Sequence, residues 1–117
     1  MLYSAQSPEL CALELHSHVP PSFPPLEYWL QIIEVPEVEI SELDPGLLSE
    51  KWINNRHETQ QIGDHFIDEN KYLILKVPSA WIYHCYNYLI NPSHKDFIQV
   101  RLIDKIPFPL KGKLFDR

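Results

Sequence analysis

Proline constrains this chain more than any other residue. Eleven of the 117 residues are proline, about 9% against a typical ~5%. Each one fixes φ, removes a backbone donor and disfavours helix in the residue before it. The stretch Val19-Pro20-Pro21-Ser22-Phe23-Pro24-Pro25 is therefore a stiff connector. At seven residues it is a loop and not a domain boundary. Glycine is scarce: Gly46, Gly63 and Gly112 stand far apart. That excludes the P-loop and the dinucleotide fingerprint, which need clustered glycines to bring backbone close to phosphate.

The pieces between prolines read as short, mixed elements. Met1-Leu2-Tyr3-Ser4 reads as the end of a strand, which implies that an earlier part of the fold is missing or supplied otherwise. Ser7-Pro8-Glu9 opens a helix running to about His18: Ser7 can cap, Pro8 fits the first turn and Glu9 suits the positive end. Residues 26–35 alternate, with Leu26, Tyr28, Leu30 and Ile32 on one face of a strand. Residues 37–43 suit a second short strand, and Asp44-Pro45-Gly46 a turn. A helix is expected over 59–70 with Thr59 as cap and Ile62, Phe66 and Glu69 on one side. Residues 71–77 suit a buried strand ended by Pro78. The aromatic segment 82–90 is extended and is a candidate sheet edge open to a partner. Residues 97–103 alternate again and end before Pro107. The sum is one α+β domain over residues 1–117, with several short strands.

Ten basic against sixteen acidic residues leave a formal charge of −6. Nucleic acid and anionic membranes are poor partners for such a chain, because phosphate binding draws on clustered Lys and Arg. Lys105, Lys111, Lys113 and Arg117 are too sparse to reverse this. No apolar run approaches the roughly 18 residues of a membrane span, and the N-terminus lacks the pattern of a secretory signal. Cys11 and Cys85 make no disulfide framework, so reduced thiols in a cytoplasmic protein are the simple reading.

Glu14 is the most informative residue. At about 100° per residue it falls among Leu10, Cys11, Leu13 and Leu15, not on the polar back with Glu9, Ala12 and His16. A carboxylate in an apolar arc is costly unless it is paired or serves a site. The plainer reading is a helix-edge Glu that reaches solvent. Ser79 follows a buried strand, where sites gather polar groups; a capping serine is the plainer reading, and no nucleophile elbow surrounds it. Asn87-Tyr88-Leu89-Ile90-Asn91-Pro92-Ser93-His94 sets aromatics beside amides, which suits a base or a nicotinamide ring, or simply a core strand and its turn. Trp29, Trp52 and Trp81 read as core or interface. No metal is expected: His57-Glu58-Thr59-Gln60-Gln61 has Gln61 where a zincin needs its second His, and no Cys-x-x-Cys occurs.

Val77-Pro78-Ser79-Ala80, Asn87-Tyr88-Leu89-Ile90-Asn91-Pro92, His94 and Asp96-Phe97 resemble the C-terminal signature of RES-domain proteins. Upstream, Leu2-Tyr3-Ser4-Ala5-Gln6-Ser7-Pro8 and Ala12-Leu13-Glu14 are similar to that family's tyrosine strand and glutamate helix. Glu42-Leu43-Asp44-Pro45, Trp52, Thr59-Gln60 and Gly63-Asp64 follow in family order. The resemblance covers nearly all of the chain.

It implies a fold similar to ADP-ribosyltransferases, with a mixed sheet and short helices, and a toxin of a type II toxin–antitoxin pair. It implies cleavage of NAD at the nicotinamide–ribose bond, by hydrolysis or phosphorolysis. Glu14 and Ser79 then carry catalysis, and Tyr3, Ser79 and Asn87 bind NAD as substrate, with no prosthetic group. Tyr3 stacks on nicotinamide and Ser79 bonds to the ribose or the amide. The family's arginine lies in a Gly-Arg-Trp-Asn-like stretch upstream of the tyrosine and has no counterpart here; Arg56 and Arg101 stand in other contexts. The implied object is a RES domain lacking its first strand and the arginine that grips pyrophosphate. The implied partners are NAD, a cognate antitoxin and a second copy of the chain. The alternatives are an impaired copy that binds antitoxin or oligomerises, and an ADP-ribosyltransferase acting on a protein.

Overall fold

A computed structural model describes residues 1–18 and 28–108. The connector 19–25, the opening of the strand expected at 26–35, the tail with Lys111, Lys113 and Arg117, and the side chain of Leu15 lie outside the described residues. The described chain is mixed α+β. Strand β1 (Leu2–Ala5) leads into helix α1 (Pro8–His18), then β2 (Trp29–Glu34), β3 (Ser41–Glu42), α2 (Arg56–Glu69), β4 (Ile74–Pro78), β5 (Tyr86–Ile90) and β6 (Arg101–Pro107). Short 3₁₀ turns occupy Pro45–Leu47, Trp52–Asn54 and Lys95–Gln99.

Four strands form one sheet in the order β1-β5-β4-β3. β5 pairs antiparallel with β1 and with β4, and β3 pairs parallel with β4. A parallel neighbour needs a crossover, and α2 lies on it. β2 and β6 form a separate antiparallel ribbon. Alternation along β4 and β5 divides the core. Leu75 and Leu89 face Phe66 of α2, while Ile74 and Ile90 join Leu73 with Ile33, Phe97 and Val100 packed against them.

α1 begins as its sequence dictates, with Ser7 Oγ accepting the Leu10 N–H at 3.2 Å. α2 does not begin at Thr59. Asn55 caps it, Oδ1 accepting the Glu58 N–H at 3.1 Å, and Thr59 donates to the Arg56 carbonyl one turn in. Both residues are good caps, and the earlier one wins because Glu58 also takes two bonds from Ser49. β3 keeps only two of the seven residues expected over 37–43. The alternation expected in β2 is broken. A register shift between Ile32 and Ile33 turns Ile33 to the core and leaves Ile32 38% exposed. Phe97 lies in a 3₁₀ turn, and the strand that follows runs on to Pro107, opposite Trp29. The segment 82–90 is a strand only from Tyr86, and β5 is flanked on both sides, so it is no sheet edge.

The Asn-Pro segment after β5 is a clamp. Asn91, fully buried, donates Nδ2 to Asn70 Oδ1 at 2.7 Å and its N–H to the Leu73 carbonyl, and accepts from the Ser93 N–H. Asn70 ends α2 at φ 49°, a left-handed cap that asparagine tolerates. His94 Nδ1 accepts the Asp96 N–H, which assigns the proton to Nε2 and lets it donate to the Lys71 carbonyl at 3.2 Å. Asn91 and His94 thus hold the fold and are not part of a binding surface. Truncating a buried side chain with two such bonds leaves the Asn70 acceptor and the Ser93 donor unmet, so Asn91→Ala costs about 2–3 kcal/mol. Loss of the exposed cap in Asn55→Ala costs about 1 kcal/mol. Urea denaturation midpoints should show that order.

Candidate functional site

The site is built on β5. Asn87 lies opposite Ala5 of β1 and Val77 of β4, and shares a sheet face with Leu89, which lies opposite Tyr3. α1 brings Glu14 over this face. Asn87 Nδ2 donates to Glu14 Oε1 at 2.8 Å and to Tyr3 Oη at 2.9 Å. Asn87 is 1% exposed, and its Oδ1 has no partner among the described residues. The amide cannot turn over to relieve that oxygen, because Oδ1 would then face the carboxylate. The negative charge therefore sets the orientation of the amide.

Ser79 joins from the end of β4. Its Oγ donates to Glu14 Oε1 at 3.4 Å and accepts the N–H groups of Trp81 and Ile82 at 3.0 and 3.3 Å. A hydroxyl has one proton and two lone pairs, and all three are committed. Ser79 thus ties the carboxylate to the loop before β5. The Ser79 N–H donates to the Cys85 carbonyl across the base of that loop. His84 within it has φ 66°, and Tyr83 stands 88% exposed against the His84 ring.

Tyr3 leaves 57% of its surface to solvent, but its hydroxyl end turns into the cluster. Burial of that end, and then the Glu14 charge, push its pKa up to about 12, outweighing the Asn87 bond that lowers it. At neutral pH Tyr3 is a phenol that accepts from Asn87 and keeps its proton to donate. Burial also raises the Cys11 thiol; a backbone hydrogen bond at Ala5 opposes this and Glu14 adds to it. The raised pKa holds Cys11 as the thiol at neutral pH.

All four residues singled out in the sequence, Tyr3, Glu14, Ser79 and Asn87, meet here. Arg56 starts α2 and Arg101 pairs opposite Glu34 in the ribbon; neither bonds to the cluster. Gln6 escaped the sequence reading: Oε1 accepts the Tyr86 N–H at 2.8 Å and fastens the chain after β1 to the start of β5. Its place directly after a strand was its only signal. Elsewhere an open groove of about 560 Å³ runs between α2 and the β3 segment, lined by none of the four. Among the described residues no group of three His, Cys, Asp or Glu side chains could hold a metal ion. No described helix is long and apolar enough to cross a membrane.

A family model described as the RES domain matches residues 1–111. A protein named Toxin Res from Pseudomonas putida is 33% identical over 96 residues, covering 80% of this chain and 66% of that relative. A second Toxin Res, from Photorhabdus laumondii subsp. laumondii, is 28% identical over 116 residues, covering 97% of this chain and 74% of the relative. The chain thus spans just under two thirds of the first relative's length.

Two titrations check the geometry. Because the folded pKa of Tyr3 exceeds its ordinary 10.0, the phenol proton favours the folded state. That contribution is complete below pH 10 and is lost as pH rises through about 12. Tyr3→Phe should remove one phenolate absorbance step near pH 12 and flatten the alkaline loss of stability. Asn87→Asp should set a second carboxylate against Glu14 and raise the pKa of the pair. Its stability deficit should be largest at neutral pH and shrink as the pH falls.

Proposed function

The chain belongs to the RES-domain family, and from that premise we propose that it is a toxin that breaks the nicotinamide–ribose bond of NAD, with water or phosphate accepting the ribosyl group. The single observation that carries this reading is the Glu14 carboxylate, pinned by Asn87 and Ser79 beside the neutral phenol of Tyr3. The C1′–N bond breaks with its electron pair passing to the nicotinamide nitrogen, which changes from pyridinium to neutral pyridine. Positive charge grows on C1′ and the ribose ring oxygen. A fixed carboxylate stabilises that charge without reorganising as it develops. An oxygen of water or phosphate then bonds to C1′, and in hydrolysis the water proton leaves to solvent. The cleavage is a heterolysis and calls on neither redox nor prosthetic chemistry.

Tyr3 presents a half-open ring for the nicotinamide to stack on. Asn87 is 1% exposed and its carbonyl oxygen is buried, so we assign it to orienting Glu14 and Tyr3 beneath the substrate. The expected bond from Ser79 to ribose or amide finds its hydroxyl already committed, so we assign Ser79 to holding Glu14 and the aromatic loop. The sheet with its two helices is then an ADP-ribosyltransferase-like core. An intracellular NAD pool as target places the toxin in the cytoplasm, where a cognate antitoxin neutralises it.

One observation favours the second reading. Among the described residues no arginine joins the cluster to grip a pyrophosphate bidentately. A chain of this kind that does not turn over NAD serves as an antitoxin-binding or oligomerisation module. NAD loss and nicotinamide release separate the readings. Glu14→Gln should lower kcat/KM by about 10²–10³-fold. Ser79→Ala should lose activity that Ser79→Thr, which keeps the hydroxyl, largely restores. No NAD loss from folded wild-type protein would sink the enzyme and leave the module. Label passing from NAD into other proteins would instead mark a transferase.

A further inference from the structure

We propose that the groove between α2 and the β3 segment seats a basic amphipathic helix of a partner protein. The groove opens at the β3 edge of the sheet, two strand positions or roughly 10 Å from the β5 strand that carries Asn87, and none of Tyr3, Glu14, Ser79 and Asn87 lines it. It is therefore separate from the Glu14 cluster, and the proposal does not depend on turnover of NAD.

Its shape is that of a trough beside a helix. Glu58, Ile62, His65, Phe66 and Glu69 line one wall. Their spacing is a continuous stripe along α2 from Glu58 to Glu69, about 16 Å from end to end. That length matches three turns of a second helix lying alongside. The opposite wall is the β3 strand and the 3₁₀ turn after it, with Leu43 half-buried and Leu47 78% exposed. A leucine standing that far into solvent on the lip of an apolar trough gains burial only from an added partner.

The charge around the trough selects the occupant. Four carboxylates line it, Glu42, Asp44, Glu58 and Glu69, with Lys71 and His65; His65 bonds to Glu69 at 2.9 Å and Lys76 lies 3.7 Å from Glu42, both acids remaining solvent-exposed. Glu58 is committed to Ser49, whose side-chain and backbone donors hold its carboxyl below the usual range, so it remains anionic. Asp44 Oδ1 accepts the Gly46 N–H and fixes the turn that carries Leu47. The acids stand at both ends of the α2 stripe and across from it, with apolar side chains between. The complement is a helix with leucine-like residues at i, i+3, i+4 and i+7 and lysine or arginine on its flanks. An anionic small molecule is repelled, and a second copy of a chain of charge −6 is disfavoured for the same reason.

The test uses three synthetic 15-residue peptides: an amphipathic Leu/Lys helix, its Leu/Glu counterpart, and a scrambled Leu/Lys sequence of equal composition. Amide chemical shifts of the isotope-labelled full chain report where each binds. The amphipathic Leu/Lys peptide should perturb residues 41–48 and 58–72 and bind more weakly as salt rises. The Leu/Glu peptide should not bind, and the scrambled one should bind at least tenfold more weakly. The double variant Glu42→Lys and Glu69→Lys, its fold checked by circular dichroism, should weaken binding about tenfold, and Leu47→Ala by a smaller factor. Shifts centred on the β2–β6 ribbon or on Glu14, equal binding of the scrambled peptide, or no binding at millimolar peptide would overturn the proposal. So would a dimer of the free chain that Leu47→Ala dissolves, because a second copy would then be the occupant.

Discussion

A single charge decides how the centre of this protein is arranged. Glu14 demands a donor, and the amide nitrogen of Asn87 is the donor within reach. That choice turns the carbonyl of Asn87 away from the carboxylate and sends the second amide hydrogen to Tyr3. It also helps keep Tyr3 a phenol, because burial of the hydroxyl end and then the Glu14 charge both disfavour a phenolate. The arrangement is rigid because Asn87 stands on β5, which is hydrogen-bonded along both edges. One helix residue on α1 and one strand residue on β5 therefore determine the protonation, orientation and reach of their neighbours.

The features legible in the sequence were those settled within a few residues. Ser7 capping α1 is a local event, and the continuous apolar run through Ile74 and Leu75 marks a buried strand by itself. Glu14 could be singled out because periodicity alone places a carboxylate among leucines. The features that were not legible depend on distant partners. The register shift at Ile32 and Ile33 exists only opposite β6, about seventy positions later in the chain. Asn87 and Asn91 are the same residue type on one segment, yet one meets a carboxylate and the other meets Asn70. Nothing local separates their roles. The segment 82–90 reads as continuous because its composition is uniform, while the left-handed turn at His84 divides it into loop and strand.

The two ends of the sheet carry different chemistry. At β1 and β5 the polar groups are inward and few, and they bond to one another. At β3 they are outward and acidic, around an apolar trough. The interior strand β4 lies between these regions, and α2 contributes Phe66 to the core below while offering Glu58 and Glu69 above. A small fold can hold a rigid centre and an open flank in this way without either disturbing the other.

The pairing of β1 with β5 has a consequence in time. Tyr3 and Asn87 are 84 positions apart, Glu14 and Asn87 73, and Ser79 and Glu14 65. Contacts of such separation close late, since loop entropy must be met before they are formed. During synthesis the carboxylate leaves the ribosome long before the amide that orients it exists. A nascent chain holds Glu14 on a helix with no strand beneath it, and the cluster appears only when residues 86–90 slide between β1 and β4. The order of the polypeptide thus acts as a timer: the site is assembled only once β5 has been made.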